Sequence, residues 1–394
     1  MQKIVCEKVW KIFGKGAGKV ISAPPSDRDA LAASHRCTIA VREADIEIRE
    51  GELFVIMGLS GSGKSTLLRC LNYMIEPTDG RVVVDGNDLS ALKGKDLRQL
   101  RQGKMGMVFQ NFGLLPHRNV IDNVALGLEV QGLPLQERYK RTREALDLVG
   151  LLEWEKHYPS ELSGGMQQRV GLARALAVNP EILLMDEAFS ALDPLIRKQM
   201  QEEFLKLLAI VKKTIVFITH DLDEALKLAS RIAVMKDGRI VQIGTPEEIV
   251  MQPADDYVSE FVGSVSRTKV VSAKNLMMKP DRWISAEKED PIAVLNKMRR
   301  NEINSVFITD YTNRLIGAVN KERLKKTMLA TASANRLKHM IHQDYAAVPH
   351  DTNLEDLISQ AAKTKAPIAV LDDRERIMGV ISRSVLLEKL ADLI

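Results

Sequence analysis

The sequence predicts two α/β parts in series: a larger sheet-and-helix domain, then a smaller unit present twice. Three observations carry this. Short apolar runs such as Leu53–Met57, Ile182–Met185 and Thr214–Thr219 alternate with amphipathic helical stretches over the first two thirds of the chain. One of those runs, Leu53-Phe54-Val55-Ile56-Met57, leads directly into a glycine-rich stretch, GLSGSGKST, spanning Gly58 to Thr66. In the last third, VFITDYTNRLIGAV and IAVLDDRERIMGVI place Asp310 and Asp372, Arg314 and Arg376, and Gly317 and Gly379 at a constant offset of 62 residues. Two copies of one hairpin-and-helix unit, burying faces that neither copy covers alone, account for that offset.

Composition sets the bounds. With 394 residues, 45% of them hydrophobic and 27% charged, the chain is long enough for two or three ordinary globular domains. No apolar run approaches the ~18 residues of a membrane span, and MQKIVCEKVWK lacks the apolar core of a signal peptide, so a cytosolic chain is expected. Cys6, Cys37 and Cys70 have no metal-like spacing and read as reduced structural thiols. A net charge of +4 is too small to argue for nucleic acid. From Val265 onward, however, 22 Lys and Arg stand against 16 Asp and Glu, a net of +6. That imbalance is a solvated basic face or a surface for an anionic nucleotide or membrane.

In order along the chain, residues 3–13 read as an opening strand ending at Phe13, before a break, GKGAGK. Residues 14–36, rich in Gly, Ala, Pro and Ser, form an insertion with a short helix expected over 27–33 and no evident task. The chain resumes over 37–48 and passes the turn Glu50-Gly51 before the run at Leu53, and a further strand is bounded by Gly80 and Gly86. A charged, solvated helix runs to Lys104, and MGMVFQ is a strand ending at Gln110. Helical signals dominate from 111 to 179: residues 120–130, 135–149 and 166–178. The run Ile182–Met185 ends in Asp186-Glu187; Met200, Phe204, Leu205, Leu207 and Leu208 make one apolar helix face; Thr214–Thr219 delivers His220. Lys236-Asp237-Gly238 is a hairpin turn.

Gly58–Thr66 matches the phosphate-loop pattern, with strand before and helix after. Gly58, Gly61 and Gly63 let the backbone wrap until several N–H groups share one concavity, lined also by Leu59, Ser60 and Ser62. The helix opening at Lys64 adds the positive end of its dipole. Lys64 supplies a mobile charge for the outer phosphates, and the Ser65 hydroxyl, followed by Thr66, can ligate magnesium. Asp186 can hold that metal through water, and Glu187 can act as general base on the attacking side. His220 can hydrogen-bond a γ-phosphate and the water, and Gln110 can contact metal and water. In LSGGMQQR, Ser163, Gly164 and Gly165 precede a helix and form a second anion-binding terminus.

Taken in order, Gly58–Thr66, Gln110, LSGGMQQR, LLMDEA, Ser190-Ala191-Leu192-Asp193 and His220 resemble an ABC-type ATPase over residues 3–262, a P-loop NTPase with a helical signature subdomain. The resemblance implies ATP and Mg2+ as cofactors and a head-to-tail homodimer, in which Ser163–Gly165 of one subunit complete the site of the other. It implies that Phe13 stacks on adenine, with Trp10 the weaker candidate, and that the segment 111–123 meets a membrane permease subunit. Met166 and Ala188, where most members carry Gln and Pro, with IMGLSGSGKSTLLR and LNYMIEPTDG, look like the ATP-binding subunits of glycine betaine, proline betaine and choline importers. Those carry an insertion near 14–36 and a tandem cystathionine-β-synthase (CBS) module. They work at the cytoplasmic face of the plasma membrane, peripherally, with a substrate-binding protein as an indirect partner.

On this reading residues 1–265 are the ATPase domain, 275–332 the first CBS domain and 333–394 the second. Adenosyl-binding CBS domains place an Asp three residues after a Ser or Thr; here Val385 follows Ser382 and Arg323 follows Asn320. Sensing of ionic strength or a cyclic dinucleotide is the other role the family implies. An ABC ATPase for another solute is the neighbouring reading. One acting on DNA would need long coiled-coil arms between Ser65 and Leu162, and one acting on the ribosome a second ATPase core; the sequence has neither.

Overall fold

A computed structural model describes the chain except residues 111, 191, 212, 264–267, 269, 282, 288, 331–336, 365 and 394, and the side chains of 206–211, 329–330, 338–339 and 392–393. Ala191 and the side chains of Leu207 and Leu208 therefore lie outside the described residues. The chain forms two compact units, Met1–Ser264 and Val265–Ile394.

The first unit opens with β1 (Gln2–Phe13), two short helices α1 (Ala17–Ser22) and α2 (Arg28–Ser34), and β2 (Thr38–Arg49). Then follow β3 (Leu53–Met57), α3 (Lys64–Leu71), β4 (Asp79–Val84), β5 (Asn87–Asp88), α4 (Gly94–Lys104) and β6 (Met105–Val108). Three helices come next: α5 (Val120–Val130), α6 (Leu135–Leu148) and α7 (Gly164–Ala177). The unit closes with β7 (Ile182–Asp186), α8 (Pro194–Val211), β8 (Thr214–Thr219), α9 (Leu222–Leu228), β9 (Arg231–Lys236), β10 (Arg239–Gly244), α10 (Pro246–Met251) and α11 (Asp256–Val262).

A six-stranded sheet runs β10-β9-β3-β8-β7-β6, parallel except for the β9–β10 hairpin. Every residue of β3, β7 and β8 is buried, the mark of strands covered on both faces and the reason they read as unbroken apolar runs. A second sheet, β2-β1-β4-β5, is antiparallel. Leu67, Leu68, Cys70 and Leu71 of α3 share one core with Ile4, Ile46 and Val82 from the small sheet and Ile56, Leu184 and Ile218 from the large one. The helix that follows the phosphate loop is thus fixed by both sheets. Cys6 and Cys70 are buried free thiols, and burial pushes the Cys70 thiol up to about 12.

The insertion differs from the expectation of one helix over 27–33. Two helices fold back on each other, because Val20 of α1 and Ala32 of α2 bury against Ile12 of β1. Glycines at 14, 16 and 18 mask the first of them from a propensity reading. A second correction concerns Gln110. Strand β6 stops at Val108, where the Phe112 amide donates to Phe109 O at 3.0 Å, so Gln110 lies in the turn after the strand.

The second unit holds α12 (Ala273–Leu276), β11 (Ile284–Ala286), α13 (Pro291–Arg300), β12 (Ser305–Thr309), β13 (Leu315–Asn320) and α14 (Lys321–Ala330). Its other half is β14 (Ala346–Pro349), α15 (Leu354–Lys363), β15 (Ile368–Leu371), β16 (Ile377–Ile381) and α16 (Arg383–Leu393). The sheets β11-β12-β13 and β14-β15-β16 have the same parallel-then-antiparallel pairing. Their inner faces share one core, with Phe307 and Ala318 against Ala369, Ile377 and Val380. The leaders are exchanged. Met278, ahead of β11, pairs with Val380 of β16, and His342, ahead of β14, pairs with Ala318 of β13. This crossing explains the repeated glycines: a Cβ on Gly317 would lie 2.3 Å from Ile341, and one on Gly379 2.6 Å from Met277.

Candidate active site

The phosphate loop sits at the end of β3, and at Gly58 and Gly63 its backbone leaves no room for a side chain. Gly58, Gly61 and Gly63 have φ of +150°, +81° and +99°. A Cβ on Gly58 would lie 2.2 Å from Met235 O, and one on Gly63 2.1 Å from Ala40 O. Lys64 is 4% exposed, and its ammonium donates to Gly58 O and Leu59 O, each at 2.9 Å. Burial pushes this ammonium down from the ordinary lysine value, and the charges of Glu187 and Asp186 push back. A polyanion in the loop would restore the partners water has lost.

Strand β7 brings Asp186 to the loop. Asp186 is 1% exposed; its Oδ1 accepts from Ser65 Oγ at 2.7 Å, and its Oδ2 meets an Arg69 nitrogen at 3.2 Å. A hydroxyl and a carboxylate so close are hard oxygen donors of the kind magnesium takes alongside phosphate oxygens. Glu187, one residue on, is held in the left-handed region at φ +45°, its amide donating to Ile218 O at 3.1 Å. A non-glycine residue there stores backbone strain, often seen at functional positions. The turn aims its carboxylate at two neighbours: Oε2 is 3.3 Å from both Gln110 Nε2 and His220 Nδ1. Lys64, Ser65, Asp186, Glu187, Gln110 and His220 are therefore linked in one constellation.

Two expected contributors lie apart from it. Ser163 caps α7, its Oγ accepting from the Met166 amide at 3.4 Å, while Cβ atoms built on Gly164 and Gly165 would meet only Leu192 and Ile196, not the phosphate loop. Phe13 is 42% exposed, with Lys11 Nζ 5.1 Å from its ring centroid. Trp10 is 5% exposed and covered by the Arg28 guanidinium at 4.4 Å, which removes it as a base platform.

Sequence reasoning missed Arg69 and Arg174. Arg174 of α7 donates to Phe112 O and Gly113 O, each at 2.6 Å, and so anchors the turn after Gln110; Asn123 of α5 pins the next residues through Leu115 O and Arg118 O. Neither arginine lies in a spacing pattern that announces a carbonyl or carboxylate partner so far along the chain.

An ABC transporter family model matches residues 41–190, and a CBS domain model matches 337–392. The glycine betaine/carnitine transport ATP-binding protein GbuA of Listeria monocytogenes serotype 1/2a (strain 10403S) is 48% identical, over 99% of this chain and 98% of that protein. The chain belongs to the ABC transporter family of ATP-binding proteins. The glycine betaine/proline betaine transport system ATP-binding protein ProV of Escherichia coli (strain K12) is 42% identical, over 98% of this chain and 97% of its own. Among solved structures, the dimeric ATP-binding cassette MJ0796 bound to ADP and Pi is 34% identical, with a TM-score of 0.53 over 62% of this chain and 98% of that one. ATP is accordingly the nucleotide, and its hydrolysis in a transporter is the activity of this ABC subunit.

Proposed function

We propose that this chain is the ATP-hydrolysing subunit of an importer for glycine betaine or a related quaternary amine. The observation that carries the solute class is likeness from end to end: the betaine-transport relatives match the insertion and the C-terminal unit as well as the ATPase core. In this reading Gly58–Thr66 cradle the phosphates, Phe13 stacks on adenine, and Ser65 with Asp186 and Gln110 hold magnesium, which neutralises phosphate charge when bound. Glu187 takes a proton from the attacking water. His220 and Gln110 orient that carboxylate, and Lys64 steadies the outer phosphate.

Two copies work head to tail. Support comes from Ser163–Gly165, whose helix N-terminus is an anion site standing off its own chain's loop. Residues 111–123, braced by Arg174 and Asn123, contact a membrane permease, so the chain acts peripherally at the cytoplasmic face; no described helix is long and apolar enough to cross a membrane. Residues 275–332 and 333–394 form a CBS pair that regulates transport through ionic strength or an anionic ligand. The decisive experiment reconstitutes the chain with its permease and binding protein in vesicles and measures ATPase stimulation by glycine betaine, carnitine and choline. Stimulation by none of them, with a response to another solute, would overturn the assignment.

A further inference from the structure

The helical insertion between β1 and β2 has no part in the roles above, yet a hydrogen-bonded path through Arg42 and the β9–β10 turn joins it to the phosphate loop. Arg42 of β2 makes three connections. Its guanidinium pairs with Asp29 of α2 at 2.6 Å, its Nε donates to Asp237 O at 3.0 Å, and its backbone amide donates to Gly238 O at 2.8 Å. Gly238 in turn donates its amide to Ser62 O at 3.0 Å. The path thus runs from α2 to Arg42, to the β9–β10 turn, and into the loop itself. A Cβ on Gly63 would lie 3.5 Å from Gly238 Cα, so turn and loop are in contact as well as hydrogen-bonded. Asp29, Arg42 and Gly61 line one open cleft of ≈ 660 Å3. The insertion is rooted where Phe13 pairs with Thr38, so it also borders the aromatic offered to the base.

Surface pairs alone are weak, and Asp29 is exposed. The Arg42 side chain, however, is only 17% exposed, and Asp29 fixes a guanidinium already committed to the turn. We propose that the insertion tunes ATP affinity, with Arg42 as the positioning residue that couples α2 to the phosphate loop. The proposal rests on Gly58–Thr66 as the nucleotide cradle, which Lys64→Ala tests separately.

The experiment measures binding of ATP to the full-length protein by calorimetry, together with kcat, KM and the thermal midpoint, in Arg42→Gln, Arg42→Lys and Asp29→Ala. Arg42→Gln should weaken ATP binding about threefold to tenfold, the scale of one or two net hydrogen bonds. KM should rise with it, and kcat at saturation should stay within about twofold. Asp29→Ala should move affinity in the same direction by less, and Arg42→Lys should lie between wild type and Arg42→Gln. A lowered thermal midpoint with unchanged affinity in the folded protein would reduce Arg42 to a structural brace and overturn the proposal. Should Arg42→Gln fail to fold, Asp29→Ala on the exposed helix decides: unchanged affinity there is also a refutation. If Lys64→Ala leaves ATP affinity intact, the cradle assignment fails, and the proposal with it.

Discussion

Nδ1 of His220 stands 3.3 Å from Oε2 of Glu187, and the same oxygen is 3.3 Å from the Gln110 amide. One carboxylate oxygen thereby faces both a histidine that follows a strand and a turn glutamine. Glu187→Gln removes the proton acceptor and keeps the shape. Hydrolysis should fall by about 10²-fold or more, the share of a general base, with ATP binding retained and an ATP-held dimer accumulating. Single-turnover hydrolysis and size-exclusion with ATP measure both; turnover near wild type would remove Glu187 from the role.

Lys64 is buried with two carbonyls as its hydrogen-bond acceptors. Loss of a charge-assisted contact to phosphate in Lys64→Ala should weaken ATP binding at least about tenfold. Calorimetric titration gives the answer, and equal affinity in wild type and variant would count against the cradle.

The loop glycines should respond unequally to a methyl group. At Gly61 a Cβ meets nothing within 4 Å, so alanine bears only the left-handed backbone cost of roughly 1–2 kcal/mol. At Gly63 the same methyl collides with Ala40 O at 2.1 Å. Gly63→Ala should therefore lower the thermal midpoint well beyond Gly61→Ala and abolish ATP binding. Equal melting of the two variants would contradict the packing described.

Asp85 joins Lys3 at 2.7 Å and Lys104 at 2.5 Å, and Lys3 also pairs with Glu181. Burial pushes the Asp85 carboxyl up, but hydrogen bonds from Lys104 and Lys3 and their charges outweigh it, holding the group below the usual carboxylate range. Its stabilisation is complete above the unfolded value of about 3.9 and is lost as pH falls through the lower folded value. Asp85→Asn should melt earlier than wild type near pH 7, and that gap should close as pH drops below about 4. A gap independent of pH would mean the stabilisation is not ionic.

Much of this site was legible because its chemistry is local. Gly58–Thr66 and Asp186-Glu187 each follow a buried run, and a strand end presents what comes next, so Lys64, Asp186 and Glu187 could be placed from spacing alone. His220 and Gln110 drew meaning only from the ensemble. Arg42, Arg69 and Arg174 were invisible, because each acts on carbonyls or carboxylates far away in sequence and an arginine on a strand or helix reads as a solvated charge. The insertion was half legible for a related reason. Three glycines weaken the local signal of α1, and the contact of Val20 with Ile12 and Ala32 that overrides them is tertiary.

The exchanged leaders of the second unit have a mechanical consequence. Met278 and Val380 bond reciprocally through their backbones, at 2.9 and 3.1 Å, and so do His342 and Ala318, at 2.9 and 3.0 Å. Prising the two halves apart would break both straps and strip the core shared by Phe307 and Val380. Separating the halves therefore costs four backbone hydrogen bonds as well as buried apolar surface, so the two repeats are joined through main chain and not by side-chain packing alone.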